Sequence, residues 1–84
     1  MTIGRLVGNT PMIKINYEYE GKKGSIYSKL EFYNYSGSIK DRIALHIIET
    51  EKKNGNLKDG QAIVEVTSGN TGISFSAIGA LCGH

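Results

Sequence analysis

From Thr71 to Leu81 the chain carries no charged residue. From Ile73 on, Ile73, Phe75, Ala77, Ile78 and Leu81 are diluted only by serines and Gly79. Read as a helix, this segment has almost no polar face, and such a helix must be covered on several sides. That demand limits the fold more than any other feature. The whole chain has 84 residues, and a domain of that size buries little of the surface it exposes when unfolded. Residues 1–84 are therefore expected to fold against further protein rather than as a self-sufficient domain.

The stretches before it supply only modest cover. Gly8-Asn9-Thr10-Pro11 reads as a turn. Met12 to Tyr17 alternates Met12, Lys14 and Asn16 with Ile13, Ile15 and Tyr17, the period of a strand. Ser25 to Leu30 alternates again, and the Gly21–Gly24 stretch between them predicts a hairpin. Ser38 to Lys53 predicts a helix, with Ile39, Ile43, Ala44, Ile47 and Ile48 as its apolar stripe. Ser38 and Asp41 form a weak capping box at its start, Glu49 and Lys53 form an i, i+4 pair, and Asn54-Gly55 ends it. Ala62 to Val66 is short and apolar enough for a buried strand. A helix, a strand and a second helix predict parallel pairing in an open α/β sheet. Ligands of such sheets bind beyond the carboxyl ends of the strands, which is where Thr67 to Gly72 falls.

Composition narrows the function classes. A formal charge of +2 with scattered basic residues argues against nucleic acid and anionic membrane as partners. Cys82 is the single cysteine, so there is no intramolecular disulfide, and a reducing, cytoplasmic compartment is expected. The N-terminus is interrupted by Thr2, Gly4, Arg5, Gly8 and Asn9 and does not read as a signal peptide. No apolar run reaches the roughly 20 residues of a membrane helix. Asn34-Tyr35-Ser36 matches a glycosylation acceptor by chance. His46 has no second ligand at metal spacing, so no metal is expected. Cys82 lies on an apolar helix and reads as core. The five tyrosines belong mostly to the hairpin, where tyrosine is common.

Two segments carry chemistry. Ser38-Ile39-Lys40-Asp41-Arg42 places a lysine at a helix start. The positive helix end disfavours a cation there and favours the neutral amine that Schiff-base formation requires. A lysine alone, however, reads as a snorkelling surface residue. Thr67-Ser68-Gly69-Asn70-Thr71-Gly72 is more specific. One such residue suffices for a cap, whereas six occur in succession between a strand and a helix. Free N–H groups and hydroxyls at a helix start hold a carboxylate or phosphate well. The loop is not a P-loop, because no lysine follows its last glycine, and its glycine spacing is not that of a dinucleotide fingerprint.

Taken together, these motifs resemble the N-terminal part of the cysteine synthase and cystathionine β-synthase family, pyridoxal-phosphate enzymes of the tryptophan-synthase-β fold type. Ile3 to Pro11 is similar to the family's opening. Lys29-Leu30-Glu31, Asn34 and Gly37 to Ala44 are similar to its cofactor-lysine segment, and Asp59 to Glu65 with Thr67 to Gly72 to its strand and substrate loop. The resemblance runs over essentially the whole chain. It implies an α/β, two-domain, open-sheet enzyme, with residues 12–31 as a hairpin packed on the second domain and 38–84 as the start of the cofactor and substrate domain. It implies that Lys40 binds the pyridoxal 5'-phosphate aldehyde and later moves the α-proton. Asn70 would bond the cofactor's ring hydroxyl, and Thr67, Ser68, Asn70 and Thr71 would clasp the carboxylate of an amino-acid substrate.

The reaction implied is β-replacement, in which an activated serine of the O-acetylserine type loses its leaving group and sulfide adds to give L-cysteine. A homodimer is implied as well. Tyr35 and Val66 stand where the family usually has proline, which frees two backbone dihedrals beside the site and leaves a sulfide-releasing cysteine lyase as the alternative. The family's phosphate-gripping loop and the residue facing the pyridine nitrogen lie far downstream and have no counterpart in these 84 residues. The chain alone is therefore expected to be inactive without the remainder of the enzyme.

Overall fold

The computed structural model describes residues 3–84, so Met1 and Thr2 lie outside the described residues. A short 3-10 turn at Ile3–Arg5 leads through Gly8 and Asn9 into strand β1 (Met12–Tyr19), which pairs antiparallel with β2 (Lys22–Lys29). A second 3-10 turn, Glu31–Tyr33, precedes helix α1 (Lys40–Lys53), and helix α2 (Asn70–Leu81) follows.

The hairpin forms where predicted, but its turn is tighter. Tyr19 pairs with Lys22, so the loop is Glu20-Gly21 alone, and both residues have positive φ, 50° and 76°. Two central residues at positive φ make the kind of turn whose twist matches the flanking strands, and glycine takes that conformation without steric cost. Ile13, Ile15 and Tyr17 share one face as expected, and the Tyr17 ring lies over Gly24 of the opposite strand. Every residue of β1 is exposed, so the hairpin reaches away from the core and lengthens the molecule to 57 Å.

The core is small. Val7, Ala44, Leu45, Ile48, Phe75 and Ile78 are buried, with Ile3, Leu6, Leu57, Ile63 and Cys82 packed partly against them. Helix α1 thus buries Ala44 and Ile48 from its predicted stripe, together with Leu45, while Ile39, Ile43 and Ile47 form an exposed row at i, i+4, i+8. Helix α2 turns Phe75 and Ile78 inward and leaves Ile73 and Leu81 exposed, so among the described residues it is covered on one side only. The stop after α1 is as predicted, with Gly55 at φ 78° and its amide on the Lys52 carbonyl at 3.1 Å.

The two helices run in the same direction. Their N-terminal ends meet where Ser36 Oγ lies 3.3 Å from Ser74 Oγ, and their C-terminal ends meet where Lys52 Nζ donates to the Cys82 carbonyl at 3.2 Å. The connecting segment must therefore return the full length of the pair, as the middle of a crossover does. It does so without forming the predicted strand at 62–66. Ile63 rests against Gly79 of α2, while Val64 and Val66 point outward at 90% and 94% exposure. A parallel strand exists only by hydrogen bonding to a neighbour, and no strand among the described residues lies beside this one. Beside it, along the flank of α2, runs a groove of about 340 Å³ bordered by Ile63, Glu65, Phe75 and Ser76. No helix among the described residues is long and apolar enough to cross a membrane.

Candidate active site

Lys40 occupies the first turn of α1, as predicted, and is half-buried. Its amide donates to Ser38 Oγ at 3.2 Å. The predicted box between Ser38 and Asp41 is replaced by a different arrangement. Asp41 turns back to Ser36, accepting the Ser36 amide at 2.6 Å on Oδ2 and the Ser36 hydroxyl on Oδ1. A carboxylate at the first turn of a helix suits the positive end of the dipole. Among the described residues the Lys40 amine has neither a carboxylate within ion-pair distance nor a hydrogen-bond partner.

A polar clasp that sequence reasoning did not single out as a unit holds Arg42 of α1 to the segments before it. Arg42 grips the Glu31 carboxylate with both arms of its guanidinium, Nε to Oε2 at 2.8 Å and Nη2 to Oε1 at 3.0 Å. Thr10 donates to Glu31 Oε1 at 2.5 Å, and Asn34 Nδ2 to Oε2 at 2.8 Å. Asn34 Oδ1 in turn accepts the Gly8 amide at 2.7 Å. These donors, Arg42 foremost, hold the Glu31 carboxyl at about 2, well below its ordinary value of 4.5. The same partnership raises the Arg42 guanidinium above its usual range. Bidentate arginine–carboxylate pairs add geometric specificity as well as energy. Here Glu31 and its partners tie the N-terminal segment, the second 3-10 turn and α1 together.

The Thr67–Gly72 loop opens α2. Thr67 Oγ1 accepts the amides of Gly69 and Gly72, each at 3.1 Å. The Thr67 methyl fills the place a Cβ at position 72 would take, so only glycine lets the hydroxyl reach that amide from this side. With those two amides satisfied, the N–H groups of Asn70 and Thr71 have no protein partner among the described residues. Ser68, Gly69 and Asn70 are exposed and Thr71 is half-buried. Free amides, hydroxyls and an amide side chain at a helix start are the donor set an anionic group needs. They suit a substrate carboxylate, and the unpaired amine of Lys40 suits an aldehyde.

Because the helices are parallel and joined at their first turns, Lys40 and the loop lie at the same end of the helix pair. The structure thus places Lys40, Asn70 and Thr71 in helix-opening turns at one end of the pair, with the Thr67 hydroxyl bonded to the amides at the start of α2. His46 stands exposed on α1, Cys82 packs half-buried on the core, and no metal-binding cluster occurs among the described residues.

Residues 3–84 match the family described as pyridoxal-phosphate dependent enzyme. Cystathionine beta-synthase of Mus musculus is 48% identical over 82 residues, 95% of this chain and 15% of the relative. A cysteine synthase of Staphylococcus aureus is 43% identical over 82 residues, 98% of this chain and 26% of the relative. Among solved structures, a hydrogen sulfide-producing enzyme of Fusobacterium nucleatum superposes with a TM-score of 0.93 at 48% identity, over 98% of this chain and 25% of that one. A second such enzyme from the same organism gives 0.81 at 46% identity, over 95% of this chain and 26% of that one. The chain therefore spans between about a seventh and a quarter of the length of these proteins.

Proposed function

The chain belongs to the pyridoxal-phosphate dependent enzyme family, and from that premise we propose that it supplies the cofactor lysine and the substrate-carboxylate loop of a β-replacement enzyme acting on amino acids. In the complete enzyme, L-cysteine is made from an activated serine of the O-acetylserine type and sulfide. The observation that supports this reading is that Lys40 and the Thr67–Gly72 loop both open helices at the same end of a parallel pair.

When bound, the cofactor supplies an electron sink for the substrate's α-carbon. Lys40 Nζ anchors the cofactor and, once released, carries a proton at that carbon. Thr67, Ser68, Asn70 and Thr71 hold the substrate carboxylate with the two free amides and the exposed hydroxyls, and Asn70 also bonds the cofactor's ring hydroxyl. Orientation by these groups turns a bimolecular encounter into an effectively unimolecular one. The single cysteine and the family resemblance support a cytoplasmic homodimer as the working form. The hairpin at 12–31, exposed on both faces, is the surface proposed to receive the second domain.

A second reading, release of sulfide from cysteine, is favoured by the two hydrogen sulfide-producing relatives. The enzyme carrying this segment, assayed with O-acetylserine plus sulfide and separately with cysteine, decides between them. Faster cysteine formation supports the first reading, and faster sulfide release replaces it with the second.

A further inference from the structure

We propose that Ser36, Asp41 and Ser74 form a positioning relay that fixes the helix bearing Lys40 against the helix that opens with the carboxylate loop; this rests on the reading of Lys40 as the cofactor lysine. Asp41 and Ser74 are both at 0% exposure. A carboxylate removed from water is tolerated only when its oxygens are satisfied. Oδ2 accepts the Ser36 amide at 2.6 Å, and Oδ1 accepts the Ser36 hydroxyl. A serine hydroxyl has one proton, and Asp41 takes it. The 3.3 Å contact between Ser36 Oγ and Ser74 Oγ therefore has one available direction, with Ser74 donating. Donation runs Ser74 to Ser36 to Asp41, from α2 through the loop before α1 and into the first turn of α1.

Asp41 follows Lys40 directly, and Ser74 lies one turn beyond Asn70. Among the described residues no other side-chain hydrogen bond joins the two helix N-termini. Between this contact and the Lys52–Cys82 bond at the far end, the helices meet through the apolar side chains Ala44, Leu45, Ile48, Phe75 and Ile78, and burial of such surface is non-directional. Sliding either helix breaks the Ser74–Ser36 contact, the one bond of the relay that crosses between them, while Ser36 stays fixed to Asp41. A buried, satisfied polar chain of this kind specifies one arrangement. It thereby sets where the Lys40 amine stands relative to a carboxylate held by Asn70 and Thr71.

The test uses the enzyme in which this segment is joined to the rest of its chain, loaded with pyridoxal phosphate. Ser36→Ala and Ser74→Ala should each lower kcat by roughly three- to tenfold while KM stays within about twofold, because the carboxylate loop is intact and only the alignment of the proton carrier is lost. The double variant should be no worse than the poorer single variant, since both remove one chain of bonds. Ser36→Thr, which keeps the hydroxyl at a half-buried position, should restore kcat. In the cofactor-free protein, Ser74→Ala should speed amide hydrogen exchange across residues 36–42. Should Ser74→Ala fail to fold, Ser36→Ala compared with Ser36→Thr decides.

Unchanged kcat, additive effects of the two alanine variants, or a lowered melting temperature with normal kinetics would each overturn the relay. Borohydride reduction separates the two levels of the argument. Cofactor fixed on another lysine overturns the Lys40 reading and the relay with it. Cofactor fixed on Lys40 with unaltered variants overturns the relay alone.

Discussion

Thr67 and Gly72 are locked together across the start of α2: the Thr67 hydroxyl accepts the Gly72 amide at 3.1 Å, and its methyl occupies the space a Cβ at 72 would need. The loop's shape therefore depends on the absence of one methyl group and the presence of another. Gly72→Ala must rotate Thr67 or push the loop, and rotation breaks the hydroxyl's bonds to both Gly69 and Gly72. Loss of a capping hydroxyl costs about 0.5–2 kcal/mol. The expected outcome is a lower melting temperature and weaker binding of amino-acid substrate, followed by the change in cofactor absorbance on titration. Combining Gly72→Ala with Thr67→Ser, which keeps the hydroxyl and removes the methyl, should recover most of the loss. Failure of that second change to help would place the collision elsewhere.

The Glu31 clasp predicts an acid limit. Its carboxyl sits at about 2 in the folded chain against 4.5 ordinarily, so the folded state favours the charged form. The resulting stability is fully present above pH 4.5 and is lost as the pH falls toward 2. In denaturation midpoints measured against pH, the enzyme carrying this segment should lose stability across that window. Glu31→Gln should start lower and show a flatter acid limb. An identical acid limb in the variant would remove Glu31 from the account.

The exposed apolar surface predicts how residues 1–84 behave by themselves. Val64 and Val66 stand almost wholly in solvent, and Ile39, Ile43 and Ile47 form an open row. Burying one large aliphatic side chain is worth about 1.5–3 kcal/mol. Leaving several exposed forgoes a contribution as large as the roughly 5 kcal/mol of net stability a small domain has. The purified segment should scatter light, unfold without a cooperative transition and fail to retain the cofactor. A soluble monomer with a cooperative denaturation curve would show that it is a self-sufficient domain.

What the sequence made legible follows the range of the interactions. The hairpin, the Lys40 helix with its Asn54-Gly55 stop, and the loop opening α2 are set by neighbours a few residues apart, and all three appear where predicted. Pairing over a longer range was invisible. Ser74 read only as a polar diluent of an apolar helix, because its partner Ser36 is 38 residues away. Arg42 and Glu31 fall in separate motifs of the sequence, and nothing local marks their mutual grip, which spans 11 residues. The stretch at 62–66 has a strand's composition, but strand formation depends on a neighbour, so composition named its tendency and not its state. The stripe on α1 was half misassigned for a related reason. Periodicity marks Ile39, Ile43 and Ile47 as apolar, but only packing partners determine which apolar residues are buried.

Lys40 is proposed here as the residue that holds the cofactor. The most direct test of that role is reduction of the pyridoxal-phosphate-loaded enzyme with borohydride, followed by proteolysis and mass mapping, with the Lys40→Ala variant alongside. The expected result is the cofactor's mass on the peptide containing Lys40, no stable label in the variant, and turnover in that variant nearly abolished because anchor and proton carrier are lost together. Label on a different lysine, or near-normal turnover by Lys40→Ala without added amine, would contradict it.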